Sequence, residues 1–220
     1  MEAIRDGASC IALIDGAFET QASVWHKEIL YALSGGVPVF GASSIGALRA
    51  AECHTFGMEG VGKVFEDFRS GKRTADDDVA VIHAPAELSY HLLTEALVDL
   101  EATIDHLAAS MLLDVSEATH LRHEARGLHF KHRTWDSILD KSGFDPDRTR
   151  AIRALLIDHR ISQKERDALQ LINILTQAGP QCRISVESER CFEFNRTGFI
   201  ADLEKAVFQR HGQGRRYDCT

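Results

Sequence analysis

Ser43 and Ser44 stand side by side in "GASSIGALRAAE", residues 41–52, where only small residues flank their hydroxyls. Ala42-Ser43-Ser44-Ile45-Gly46 has the form A-x-S-x-G with Ser44 at its centre. It is close to the G-x-S-x-G pattern that raises a nucleophilic serine on a sharp strand-to-helix turn. Small neighbours are a steric requirement of such a turn, because its backbone angles are strained and bulky flanks would bury the hydroxyl. If Ser44 attacks an acyl carbon, the Ile45 amide at the start of the next helix donates to the oxyanion and gains from the positive end of the helix dipole. The Asp15-Gly16-Ala17 loop, with the Gly16 amide, is the candidate for a second donor. Two other readings fit the same residues: the serines cap the helix, or the turn cradles an anion with its backbone amides.

A serine at its free pKa needs a base within hydrogen-bond reach. His26, His54 and His83 are the usual kind, with Asp15 as an orienting carboxylate. Lys27 is the less usual and preferred candidate: it sits in the first turns of its helix, where the dipole disfavours a cation, and beside the bulky Trp25. The plain alternative for Lys27 is a solvated lysine paired with Glu28 or Tyr31. Ser43 is the reserve nucleophile and Lys63 the reserve base. Arg49, one helical turn beyond Ser44, either orients a bound tail or anion or pairs with Glu52 at i+3. Gly41 and Ala42 would floor a narrow cleft together with Gly16.

Three further patterns compete. "GMEGVGKV", Gly57 to Val64, spells G-x-x-x-x-G-K but has Val64 where a magnesium-binding Ser or Thr is needed, and the preceding "AAECHTF" reads as the end of a helix rather than a buried strand. Cys53, between Glu52 and His54, is a candidate persulfide carrier or nucleophile. Its place near a helix C-terminus raises rather than lowers a thiol pKa, which favours a buried structural cysteine. "HLRH" (His120, His123) and "HFKH" (His129, His132) have i,i+3 spacing that can serve a metal, yet no cysteine lies between them and the nearby carboxylates are scattered, so a solvated face with titrating imidazoles is the simpler reading. No metal or cofactor is expected.

The elements that would position these groups follow from periodicity. "CIALID", Cys10 to Asp15, and the apolar run Val37 to Phe40 read as short buried strands. Between them "SVWHKEILYALSGG" puts Trp25, Ile29 and Leu33 at i, i+4, i+8, with Ser23 as N-cap and Gly35 as the stop, which predicts a helix. Strand, helix, strand implies a right-handed parallel crossover. "SIGALRAAE" predicts a second helix, "EGVGKVFEDFRSG" a third, and "DDDVAVIHA", Asp76 to Ala84, a third strand. From Glu87 the chain reads as mostly helical, with Pro85, Pro146 and Pro180 at breaks. Ten of the 16 glycines fall at or before Gly71, which marks a change of character along the chain. The expected class is α/β: a small parallel sheet with crossover helices over residues 1–85, and an α-helical region over residues 86–220 packed on it.

At 220 residues the chain is long enough to bury a real core. A net charge of -8 and a pI near 5.7, with no clustered basic face, argue against nucleic acid as the ligand. The N-terminus lacks a basic stretch followed by a long apolar run, and no segment is apolar for long enough to span a bilayer, so a soluble, cytoplasmic protein without membrane association is expected. The five cysteines, Cys10, Cys53, Cys182, Cys191 and Cys219, form no C-x-x-C pair and are odd in number, which suits reduced thiols.

Taken together, "IDGAFETQASVWHKEILYALSGGVPVFGASSIGALRAAECHTFGMEGVGKVFEDFRSG" followed by "DDDVAVIHA" resembles the TfuA family, nearly continuously from residue 13 to residue 84. The strings "HKEIL", "GALRAAE" and "FGMEGVG" carry the resemblance, while the helical remainder matches in general character only. Two departures are Asp78, where glutamate is expected, and Ile45, where methionine is common. The resemblance implies a fold outside the common superfolds and a partnership with a YcaO enzyme, which activates a peptide-backbone amide with ATP for exchange of oxygen by sulfur. It also implies a hydrolase-like site with a Ser-Lys pair that releases sulfide from the C-terminal thiocarboxylate of a small ThiS-like sulfur carrier. Ser44 and Lys27 are the serine and lysine to which that role is carried over. The thioamidated peptide or protein is then a substrate of the YcaO partner. Two other functions remain open: an adaptor that docks YcaO and its peptide, and a sulfurtransferase bearing a persulfide on Cys53.

Overall fold

The computed structural model describes residues 1–16, 23–179 and 192–208. The chain divides into two compact units, one of residues 1–72 with 167–220 and the other of residues 73–166.

The first unit opens with α1 (Glu2–Arg5) and is built on three short parallel strands, β1 (Ile11–Leu13), β2 (Val39–Ala42) and β3 (Glu59–Val61), in that spatial order. Leu13 lies opposite Gly41, and Ala42 opposite Val61. All four residues of β2 are buried, as a central strand covered on both faces requires. Helix α2 (His26–Ser34) links β1 to β2, α3 (Ile45–Cys53) follows β2 almost directly, and α4 (Lys63–Arg69) follows β3. From Asp167 on, α9 (Gln163–Ala178) adds Leu171 to a core with Phe40 and Ala42, and α10 (Gly198–Phe208) buries Ile200.

Two first-unit expectations are corrected. Helix α2 begins at His26 with Trp25 as its cap residue, whose N–H donates to the Glu28 carboxylate at 3.4 Å, so Ser23 is not the N-cap. Its hydroxyl accepts from Arg49 instead. The third strand is Glu59–Val61, inside the stretch Glu59–Gly71 expected to be helical throughout; the helix there begins only at Lys63. Gly60 is obligatory there, since a Cβ would stand 2.1 Å from the Phe65 ring of α4.

The second unit is helical: α5 (Leu97–Ala109), α6 (Val115–Gly127), α7 (Trp135–Ser142) and α8 (Pro146–His159) enclose Leu100, Ile104, Leu107, Leu121 and Ile138. Pro146 occupies the first position of α8, where its missing N–H costs nothing, and Asp145 caps that turn. The expected strand Asp76 to Ala84 does not form. Asp76–Asp78 is a single 3-10 turn, and only His83 pairs, in an isolated bridge to Leu92. Side chains satisfy this backbone in place of a ladder. Arg133 donates to the Asp77 carbonyl, the Lys164 amine to the Val79 carbonyl, and the Ile82 N–H to the Thr94 hydroxyl. Beyond a single 3-10 turn at Ala86–Leu88, the stretch before Leu97 is not helical, because Ser89 and Tyr90 both adopt left-handed backbone, with φ of 54° and 53°. Pro180 lies outside the described residues.

Candidate functional site

The turn between β2 and α3 is built by close approach. A Cβ on Gly41 would lie 2.0 Å from the Gly46 carbonyl oxygen, and one on Gly46 would lie 1.9 Å from the Leu13 carbonyl oxygen. Glycine at both positions lets the first turn of α3 sit directly on β1 and β2. The Ser44 N–H donates to Ile14 at 3.1 Å and to Ala42 at 2.9 Å, the second bond closing a three-residue turn around Ser43. Ser43 accordingly has φ +73°, in the region that disfavours L side chains. A strained residue between a buried strand and a helix is the geometry of a nucleophile elbow.

Ser44 occupies the N-cap position of α3, yet its side chain makes no capping hydrogen bond. Capping is therefore not what this serine does. Residues Ser43 and Ser44 are only 3% and 5% exposed. The N–H groups of Ser44 and Gly46 both point to Ile14, whereas the Ile45 N–H between them has no backbone acceptor among the described residues. The amide that follows Ser44 thus remains available to an oxyanion, while the amide that follows Ser43 is taken. The backbone strain falls on Ser43, and the N–H without a backbone acceptor among the described residues is the one that follows Ser44.

The structure brings Gly16 to this turn, since a Cβ there would lie 3.1 Å from Ile45 Cγ2. The Gly16 N–H donates to the Asp15 carboxylate at 2.9 Å, so that bond must open before Gly16 serves an oxyanion. Ala17 lies outside the described residues.

Lys27 is not brought to the serines in this conformation. Its amine donates to the Asn195 carbonyl at 3.1 Å and sits 5.5 Å from the centre of the Phe194 ring. His26 hydrogen-bonds Glu52 at 2.8 Å, and Arg49 donates to Glu52 at 2.6 Å, to the Val24 carbonyl and to Ser23. Of the two readings of Arg49, the pair with Glu52 is the one formed, and the same guanidinium ties the chain entering α2 to α3. The carboxylate that orients His26 is Glu52 rather than the expected Asp15, and it lies seven residues beyond Ile45, about 10 Å further along α3. His54 bonds the Ala51 carbonyl, and His83, in the second unit, bonds the Tyr90 carbonyl.

Lys63 opens α4, two residues beyond Val61, as Ser44 stands two residues beyond the paired Ala42. Its amine contacts both oxygens of Asp67 at 3.1 Å. The glycine-rich stretch around it is no nucleotide loop. Residues 59–61 are strand, and the buried Asp167 carboxylate fills the start of α4, accepting from the Val64 N–H at 2.8 Å. Gly62, at φ +94°, is required because a Cβ would fall 2.3 Å from Asp167 Cγ. Asp167→Ala leaves the Val64 N–H buried without its acceptor and is expected to cost about 2 kcal/mol in urea unfolding, with no nucleotide binding in either variant.

Cys53 is buried, and burial, then the charge of Glu52, pushes its thiol up to about 11. Thiolate is scarce at neutral pH, so Cys53→Ser is expected to leave activity intact, and alkylation of Cys53 is expected to keep accelerating as pH rises toward 11. Because the folded value is raised, the contribution of this thiol to stability is present below its ordinary range and is lost as pH rises through about 11. His120 bonds the Ser142 carbonyl, and the His129 ring accepts from the Lys131 N–H. Among the described residues no group of three His, Cys, Asp or Glu is arranged to hold a metal. Cys182, Cys191 and Cys219 lie outside them.

A family model described as TfuA-like protein matches residues 15–134, more than half of the chain. The chain belongs to the TfuA-like protein family. The match takes in the Ser43-Ser44 turn, Lys27 and Arg49, and it continues through α5 and α6 of this TfuA-like chain, well past residue 84, where the resemblance in the sequence fades into general character. A search of curated proteins found no match to the chain. Among the described residues no helix is long and apolar enough to cross a membrane.

Proposed function

We propose that this TfuA-like protein is an accessory hydrolase of peptide-backbone thioamidation, which releases sulfide from the C-terminal thiocarboxylate of a ThiS-like carrier for use by a YcaO partner. The observation that carries this reading is the Ser44 hydroxyl, nearly buried at the head of α3 and engaged in no capping bond, beside an Ile45 amide with no backbone acceptor among the described residues. A serine that serves only the helix would bond the N–H of its second or third residue.

In this mechanism Lys27, in its neutral form, accepts the Ser44 proton, and Ser44 Oγ attacks the thioacyl carbon of the carrier's terminal residue. The Ile45 N–H holds the oxyanion, joined by the Gly16 N–H once it leaves Asp15. The C–S bond breaks and sulfide departs as HS⁻, taking the proton that Lys27 had accepted, which leaves a seryl ester and a neutral amine. Water, deprotonated by the same amine, cleaves the ester and returns the carrier as an ordinary carboxylate. A thin, extended tail suits a cleft floored by Gly16, Gly41 and Ala42.

The test is sulfide release from a thiocarboxylated carrier by Lys27→Met, Lys63→Met and His26→Gln. Loss of rate confined to Lys27→Met supports the assignment. Loss confined to Lys63→Met or His26→Gln reassigns the base, and full rate in all three contradicts a side-chain base of this kind.

An adaptor role is the second reading. In the second unit Leu88, Tyr90, Leu92 and Leu93 are each 50% exposed or more, a grouping typical of protein contact surfaces. A Ser44→Ala protein that still supports thioamidation from the thiocarboxylated carrier, with no free sulfide added, would assign the function to docking.

A further inference from the structure

The C-terminal part of the first unit reaches Lys27, the residue proposed as the base. Phe192 to Thr197 forms no regular secondary structure. Its contacts include the Phe192 and Phe194 rings, one main-chain carbonyl, and an ion pair from Arg196 to Glu204 of α10 at 2.6 Å. Phe192 packs edge-on against Phe56, with ring centres 5.5 Å apart, and Phe194 packs edge-on against Tyr31 at 5.9 Å. Just beyond, Phe199 at the start of α10 lies 4.8 Å from Trp25, the residue that caps α2. Between these contacts the Asn195 carbonyl takes the Lys27 amine, and the Phe194 ring faces the same ammonium.

We propose that Phe192–Phe199 is an autoinhibitory strap that withholds the Lys27 amine until the segment lifts. The proposal deepens the hydrolase reading and rests on Lys27 being its base. Three features fit a removable strap rather than a fixed wall. The ring contacts that join it to the residues of the α2 region come from separate aromatic side chains, Phe194 against Tyr31 and Phe199 against Trp25, rather than from a continuous hydrogen-bonded ladder. Trp25 and Phe199 remain 44% and 52% exposed, which leaves their contact partly solvated. A segment with exposed backbone and few buried contacts opens at a small fraction of the cost of global unfolding. While the strap is down, the Asn195 carbonyl and the Phe194 ring both engage the Lys27 amine. When it lifts, the amine loses both, and a carrier tail gains access to the mouth of α2.

The experiment compares the full-length protein with Phe194→Ala and, as a second variant, Phe192→Leu. Reductive methylation is followed by peptide mass spectrometry at Lys27, with the buried Lys164 as a reporter of global loosening. Sulfide release is measured on the same samples. Lys27 methylation several-fold faster in Phe194→Ala with Lys164 unchanged, together with faster sulfide release, is the expected result. Unchanged Lys27 methylation in both variants overturns the strap whatever the enzymatic rate. Faster methylation with an unaltered hydrolysis rate overturns autoinhibition. Faster methylation in a protein that releases no sulfide in any variant supports the shielding of Lys27 and rejects the hydrolase reading separately.

Discussion

Gly46→Ala is expected to destabilise the first unit by about 3 kcal/mol or more, a large share of the stability of a typical domain. The reason is geometric. The added methyl would lie 1.9 Å from the Leu13 carbonyl oxygen and 3.0 Å from the Ile14 nitrogen, so it meets two consecutive backbone groups of the neighbouring strand rather than a side chain that can turn aside. Relief requires α3 to rise off β1, and that movement breaks the bonds from Ser44 and Gly46 to the Ile14 carbonyl that hold the turn. Gly41→Ala is expected to act similarly, since its methyl would meet the Gly46 carbonyl at 2.0 Å. Gly71→Ala is the matched control, with open space around the added carbon but a φ of +73°, and is expected to cost about 1 kcal/mol from backbone strain alone. Urea unfolding checks the ranking. Equal effects at Gly46 and Gly71 would contradict the close packing of turn and strand.

The second large effect separates the two serines. Ser44→Ala is expected to lower sulfide release by at least about a thousandfold, because it removes the attacking oxygen itself. Stability should change by less than about 0.5 kcal/mol, since no capping bond is lost. Ser43→Ala is expected to behave differently. Ser43 supplies the left-handed residue of the turn at φ +73°, and alanine tolerates that region no better, so its effect on rate should be modest, of order tenfold or less. Ser43→Gly relieves the strain and is expected to raise the unfolding midpoint. Should Ser43→Ala abolish release while Ser44→Ala retains it, the roles assigned to the two residues are exchanged.

Much of the first unit was legible because its signals are local. The apolar runs Cys10 to Asp15 and Val37 to Phe40, the helix between them ending on Gly35, and a serine turn leading into α3 can all be read from residue type and spacing. The strand Ile11–Leu13 forms within the first run and Val39–Ala42 overlaps the second, and the parallel pairing of these two strands follows from their connection. What failed was decided by partners distant in sequence. Glu59–Val61 pairs with β2 although two of its neighbours within five residues are glycines, and nothing local announces that Phe65 will need the space at Gly60. The run from Asp76 to Ala84 has the composition of a strand, but Arg133, Lys164 and Thr94, all remote in sequence, satisfy its backbone first. Asp167, 103 residues from Val64, closes the site that a glycine-rich motif had suggested for a nucleotide. The site shows the same division. Ser44, Ile45 and Gly16 meet where the local pattern placed them, whereas the engagement of Lys27 by Asn195 joins residues 168 positions apart and left no mark on the sequence around either one.

The most direct test is intact-mass analysis of a thiocarboxylated ThiS-like carrier incubated with this protein alone, beside its Ser44→Ala variant. The account predicts that wild-type protein makes the carrier lighter by the difference between one sulfur and one oxygen atom, with sulfide appearing in equal amount, while the variant leaves the carrier unchanged. A carrier converted equally well by both proteins, or by neither even with the YcaO partner present, would contradict a Ser44-dependent hydrolase.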